Sequence, residues 1–135
     1  LQAAIDALTG ADGAILVTPI FTTSYSGLFK SFIDVLDPDA LTDLPVLIGA
    51  TGGTERHSLA LDSALRPLFA YLHAIVVPTA VYAASSDWGA EAGLVDRIDR
   101  AAAELSTLVS ASDRSSRVRS AKSRSARLVS AAGRS

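Results

Sequence analysis

The sequence predicts an α/β domain built on a parallel sheet, and two observations carry that prediction. Short apolar runs at residues 14–17, 45–50 and 74–82 have strand character. Segments whose apolar residues recur at helical spacing follow them, at 28–36, 58–72 and 94–110. Strands alternating with helices of this length make βαβ units, whose crossover connections set neighbouring strands parallel.

Composition agrees. With 135 residues, 49% of them hydrophobic and 19% charged, the chain is long enough to bury a core and too apolar for a disordered polymer. No run reaches the roughly 18 uninterrupted apolar residues of a membrane helix. There is no cysteine, so neither a disulfide framework nor thiolate chemistry is available. No signal-like segment opens the sequence, and a cytoplasmic location is expected. The sequence begins with Leu1 and contains no methionine, which reads as part of a longer protein.

The net charge of −2 conceals two materials. Residues 1–112 carry five basic against thirteen acidic side chains, a net −8. Residues 113–135 carry seven basic and one acidic, a net +6. Residues 1–111 are therefore expected to form the folded part, and 112–135 a disordered basic extension rich in Ser, Arg and Ala. Such a tail suits phosphate backbones electrostatically, yet no aromatic residue is interleaved to stack on bases, and nucleic-acid binding is not expected.

Taken in order, residues 2–8 read as a short helix closed by Gly10 at the C′ position. The pair Asp12-Gly13 turns the chain into the first strand, 14–17. Thr18-Pro19 is expected to stop it, because proline cannot donate to a ladder. A polar loop, 22–27, follows. Leu28, Phe29, Phe32, Ile33 and Leu36 then form one apolar stripe. Asp37-Pro38-Asp39 breaks that helix, and residues 41–44 cross to the second strand, 45–50. This strand is almost continuously apolar and is expected to be buried on both faces.

A second polar loop, 51–54, holds Gly52 and Gly53. The helix at 58–72 presents Leu61, Leu65, Leu68 and Leu72, with Pro67 predicted to kink it near Ser63. Pro78 makes 74–82 an edge strand or splits it in two. The loop 83–93 carries Trp88, an anchor over core or interface. In the last helix Leu94, Ile98, Ala101, Leu105 and Leu108 face inward.

Two polar, glycine-containing loops, 19–27 and 51–54, thus follow carboxyl ends of neighbouring strands, where open α/β sheets bind ligands. Either alone reads as a tight turn; two on one rim read as a site. Both are expected to expose backbone N–H groups at helix starts. Gly52-Gly53 lets backbone approach a flat ring with no Cβ in the way. Phe21 and Tyr25 are placed to flank that ring.

The joint pattern of PIFTTSYSGLFKSFIDVL and ATGGTERHSLALDSALRPLFAYL resembles the NADPH-dependent FMN reductase family of flavodoxin-like fold, over roughly residues 1–109. It is most similar to the branch that serves two-component flavin monooxygenases of the alkanesulfonate and luciferase-like kind. The resemblance implies a flavodoxin-like three-layer α/β/α parallel sheet, here lacking the first two strands. It implies FMN and NADPH (or NADH) as cofactors, hydride transfer from nicotinamide to flavin N5, and release of reduced FMN to a monooxygenase.

It also assigns residues. Pro19, Ile20, Phe21, Thr22, Ser24 and Tyr25 would run along the isoalloxazine ring, and Thr51, Gly52 and Gly53 would bond its polar edge. Many members carry tyrosine where Phe21 stands, so one hydroxyl is lost here. The family's flavin phosphate sits on a serine-rich loop after the fold's first strand, which this sequence does not contain. The absent first strand would leave Ile15–Val17 as an apolar edge.

No catalytic Ser/His/Asp set and no metal site are expected, since hydride transfer mainly needs two rings stacked. His57 and His73 read as helix-end residues, Lys30 as a solvated charge, and Arg56 as a candidate for a cofactor phosphate. Asp34 and Asp37 read as a solvated helix terminus. A homo-oligomer, dimer or tetramer, is expected for the complete protein. The alternatives are a flavin-dependent quinone or azo reductase on the same fold, or a non-enzymatic fragment without flavin binding.

Overall fold

A computed structural model describes residues 1–112. In chain order the regular elements are α1 (Gln2–Thr9), β1 (Ala14–Phe21), β2 (Ser24–Tyr25), α2 (Gly27–Asp34), β3 (Pro45–Gly52), α3 (Arg66–Tyr71), β4 (Ile75–Val76), β5 (Val81–Ala84) and α4 (Ala92–Ala111). β3 is the central strand. β1 lies parallel along one side of it, from Ala14↔Val46 to Pro19↔Thr51. Its other side carries β4 at its start and β5 towards its end, both parallel.

Three strand expectations change. β1 does not stop at Thr18-Pro19 but runs on to Phe21. Among the described residues it is bordered along 14–19 by β3 alone, and a strand with one open side tolerates proline. The predicted polar loop contains β2, which folds back antiparallel on β1, so the sheet is mixed rather than all parallel. The run at 74–82 does split at Pro78, into β4 and β5. Two side chains staple the split from opposite faces of the sheet. Arg66 at the start of α3 donates to the Val77 and Pro78 carbonyls. Glu104 of α4 accepts from both the backbone N–H and the hydroxyl of Thr79, each at 2.7 Å.

Helices cover both faces. On one, Val46, Ile48 and Ala50 of β3 pack with Ile33, Leu65 and Phe69. On the other, Leu47 packs with Val77 and with Ala101, Leu105 and Leu108 of α4. β3 is therefore buried on both faces, as its composition predicts. β1 is not. Thr18 and Ile20 are buried, whereas Ile15 is 62% and Val17 55% exposed, because α4 packs chiefly over β3 and β5.

The helices depart from prediction in detail. Pro67 withdraws the amide that would meet the Ser63 carbonyl. The chain ahead of it is wound as a 3-10 segment, Glu55–Leu59, and a π turn, Leu61–Leu65, before α3 begins. Gly10 closes α1 as a right-handed C-cap with φ −89°, not as a left-handed C′ residue. Leu28 and Ile98, both assigned to inward stripes, are exposed. So is Trp88, which lines a cavity with Leu47, Val81 and Leu94 rather than being buried among them. The expected extension over residues 113–135 lies outside the described residues.

Candidate functional site

The register Pro19↔Thr51 brings the carboxyl ends of β1 and β3 side by side, and with them both predicted segments. The first is a hairpin. Thr22 and Thr23 join β1 to β2 with φ of 50° and 66°, both left-handed. Two-residue hairpin turns of this hand favour Asn-Gly or Gly-Gly, and each β-branched threonine there costs about 1–2 kcal/mol. The surrounding bonds hold the turn. Ile20 pairs with Tyr25 and Phe21 with Ser24. Below them the buried Thr18 hydroxyl oxygen accepts the Ser26 N–H at 3.0 Å. Ser26 in turn caps α2, its hydroxyl oxygen accepting the Phe29 N–H at 3.1 Å.

The hairpin corrects one expectation about the rings. Residues paired directly across an antiparallel ladder share a face, so Phe21 and Ser24 lie on one side and Ile20 and Tyr25 on the other. Phe21 and Tyr25 therefore cannot clamp one ring between them. Tyr25 leans on Phe29, ring centroids 6.1 Å apart, and Phe29 meets Phe69 edge-on at 6.3 Å. Phe21 stands free with 62% of its surface exposed. Pro19 and Thr22 are exposed, Ser24 and Tyr25 half-buried. The side chain of Ile20 is in the core, which leaves only its main chain for a ligand.

The second segment is less of a loop than predicted, because Thr51 and Gly52 are the last residues of β3. Thr51 and Gly53 are exposed and Gly52 is half-buried. Gly53-Thr54 leads into the 3-10 segment, where Tyr82 of β5 donates its hydroxyl to the Thr54 carbonyl at 2.7 Å. Burial pushes the Tyr82 phenol above its ordinary pKa, which keeps it a donor. Beside it a polar cleft of about 400 Å³ is lined by Glu55, Ser58, Asp87 and Arg97. Arg97 reaches the Asp87 carboxylate at 3.3 Å and the Tyr82 carbonyl at 3.2 Å.

The remaining singled-out residues are dispersed. Lys30 pairs with Asp34 at 2.6 Å on the exposed face of α2, and the hydrogen bond it donates to Asp34 raises the lysine pKa. Asp37 accepts the Asp39 N–H. His57 sits within the 3-10 segment and Arg56 is exposed beside it. His73 follows α3 with φ 57°, its N–H on the Ala70 carbonyl and its own carbonyl accepting from Asp43. Among the described residues no group of three or more His, Cys, Asp or Glu is placed to hold a metal ion. No helix among them is long and apolar enough to cross a membrane.

Sequence reasoning missed two supports of the rim. Thr18 passed for a strand stop, although a serine eight residues on, ahead of an apolar helix, is a readable N-cap. Tyr82 lies 28 residues from its partner and leaves no local signal.

Fold and rim together define an α/β protein with a candidate ligand site at the carboxyl ends of adjacent parallel strands. A family model described as NADPH-dependent FMN reductase matches residues 1–89, and the chain belongs to that family. Over 88 residues it is 49% identical to an FMN reductase (NADPH) of Pseudomonas aeruginosa, a match covering 65% of this chain and 47% of the relative. The chain thus spans about half the length of that curated relative. Among solved structures, an oxidoreductase from Corynebacterium diphtheriae superposes with a TM-score of 0.77 at 50% identity, covering 82% of this chain and 62% of the other. The apo form of the NADH:FMN oxidoreductase EMOB superposes with a TM-score of 0.67 at 33% identity, covering 82% and 58%. The α/β fold is that of the flavodoxin-like FMN reductase structures.

Proposed function

We propose that the rim holds the isoalloxazine ring of FMN and that the chain carries the ring-binding part of an NAD(P)H-dependent FMN reductase. The single observation behind this reading is the register Pro19↔Thr51, which aligns two polar segments at one sheet edge. The residues suit a flat ring with a polar edge. Phe21 offers an exposed aromatic face, and Pro19, Thr22, Ser24 and Tyr25 complete the hairpin around the main chain of Ile20. Thr51, Gly52 and Gly53 offer backbone donors and acceptors. A Cβ at Gly53 would meet nothing within 4 Å, so there is open space over that backbone.

When bound, FMN supplies an acceptor at N5 for hydride from a nicotinamide. The chain's own work is to fix the ring and leave its other face open, which calls for positioning rather than acid–base groups. Relatives named for NADPH and for NADH both match, and we write the donor as NAD(P)H. In the same reading, reduced FMN passes to a flavin-dependent monooxygenase in the cytoplasm, and the complete protein is a dimer or tetramer.

The fold reading is finer than the comparisons. β1, β3 and the β4/β5 run would be the third to fifth strands of a flavodoxin-like three-layer sheet, with residues 1–111 its carboxyl-terminal part. The open side of β1, flanked by exposed Ile15 and Val17, supports a further strand there. Titrating FMN into the full chain and following flavin fluorescence tests the function. Saturable quenching, weakened about three- to tenfold in Phe21→Ala by the loss of one stacking contact, is expected. Quenching that does not saturate, or that ignores Phe21, would contradict it.

A further inference from the structure

Gly52 and Gly53 are neighbours in sequence with different surroundings. A Cβ added at Gly52 would lie 2.0 Å from the Tyr82 hydroxyl and 3.0 Å from its Cζ. At Gly53 the same atom would meet nothing within 4 Å. Neither glycine has a left-handed φ, so backbone conformation demands glycine at neither position. What separates them is one side chain. Tyr82 pairs with Ala50 in the β3–β5 register, and its ring reaches over Gly52, two residues further along β3. Its hydroxyl then ends on the Thr54 carbonyl at 2.7 Å. One phenol fills the space that Gly52 leaves and fastens the residue beyond Gly53. Its ring is almost wholly buried, 7% exposed, so this contact is part of the packed interior.

We infer that Tyr82 is the positioning residue of the second segment. Its ring over Gly52 and its bond to Thr54 hold Gly53 outward, as the glycine that meets the flavin. The inference rests on the flavin reading above. Gly52 is small for the protein's own sake, and Gly53 for the ligand's.

The test compares the wild-type chain with Tyr82→Phe and Gly53→Ala by two readouts. Amide hydrogen exchange over residues 52–57, without flavin, reads the fastening; an FMN titration reads its consequence. Tyr82→Phe should speed exchange there about three- to tenfold, the worth of one hydrogen bond, while leaving the β1–β2 hairpin unchanged. It should weaken FMN binding by a similar factor. Gly53→Ala should keep wild-type exchange and melting temperature, yet weaken FMN at least as much, because its Cβ enters the ring's space. Gly53→Ala also keeps the inference testable should Tyr82→Phe fail to fold. Wild-type exchange in Tyr82→Phe, or wild-type FMN affinity in Gly53→Ala, overturns the inference. If the wild type itself binds no FMN while Tyr82→Phe still loosens residues 52–57, the flavin reading falls and the fastening by Tyr82 stands.

Discussion

β1 and β3 run side by side over six register pairs and are both rich in Ile, Leu and Val, yet they live in different environments. β3 has strands on both sides and helices on both faces. β1 has one partner along most of its length and one covered face. The same kind of apolar residue is therefore core in one strand and surface in the other. Neighbours, rather than composition, decide burial. At the carboxyl ends the contrast continues. The β3 end is fastened by Tyr82, whereas the β1 end closes in a hairpin whose two turn residues are strained.

The contrast is most easily broken by making one substitution in both strands. Ile48→Ala, in a fully buried position, should cost about 2–5 kcal/mol in urea unfolding. Ile15→Ala should stay within about 0.5 kcal/mol of wild type. Equal losses would mean that β1 is covered in solution. A smaller effect is expected where β1 is anchored. Thr18→Val leaves the buried Ser26 N–H without its acceptor and should cost about 1–3 kcal/mol. A neutral result would show that the Thr18–Ser26 bond does not hold the hairpin.

The turn itself should respond in the opposite direction. Thr23→Gly removes a β-branched side chain from a φ of 66° and should stabilise the chain by about 1 kcal/mol. Destabilisation would contradict the account of strain there.

The smallest effect is set by pH and falls on the β3 side. Hydrogen bonds from the Thr79 hydroxyl and backbone N–H hold the Glu104 carboxyl below its ordinary pKa of 4.5. A depressed carboxyl stabilises the fold above its unfolded value, and that contribution is lost as pH falls through the folded one. The melting temperature of the wild type should therefore drop below about pH 4.5, and Glu104→Gln should flatten that part of the curve. Parallel curves for the two chains would remove Glu104 from the account.

Much of this was legible in the sequence. The continuous apolar run of β3, the helical stripe holding Ile33 and Leu36, and the break at Pro78 all follow from local periodicity and proline chemistry. The expectation of an apolar edge at Ile15–Val17 comes instead from the family resemblance, and both side chains are exposed. What escaped depended on partners distant in sequence or on backbone conformations that the residues disfavour. Thr22-Thr23 carries no sequence mark of a left-handed turn, so β2 passed for loop. Phe21 and Tyr25 looked like a pair until the hairpin register put them on opposite faces. The close approach of Tyr82 to Gly52 comes from another strand and leaves no local mark.

The central claim is that two segments, at the ends of β1 and β3, form one flavin site. The most direct measurement is an FMN titration of the isotopically labelled chain, followed through its backbone amide chemical shifts. The account predicts saturable shifts at 20–25 and 51–54 with a single affinity, and quiet amides in α4 and β4. Shifts confined to one segment, or centred on the apolar groove beside Leu28, Phe32 and Val35, would contradict it.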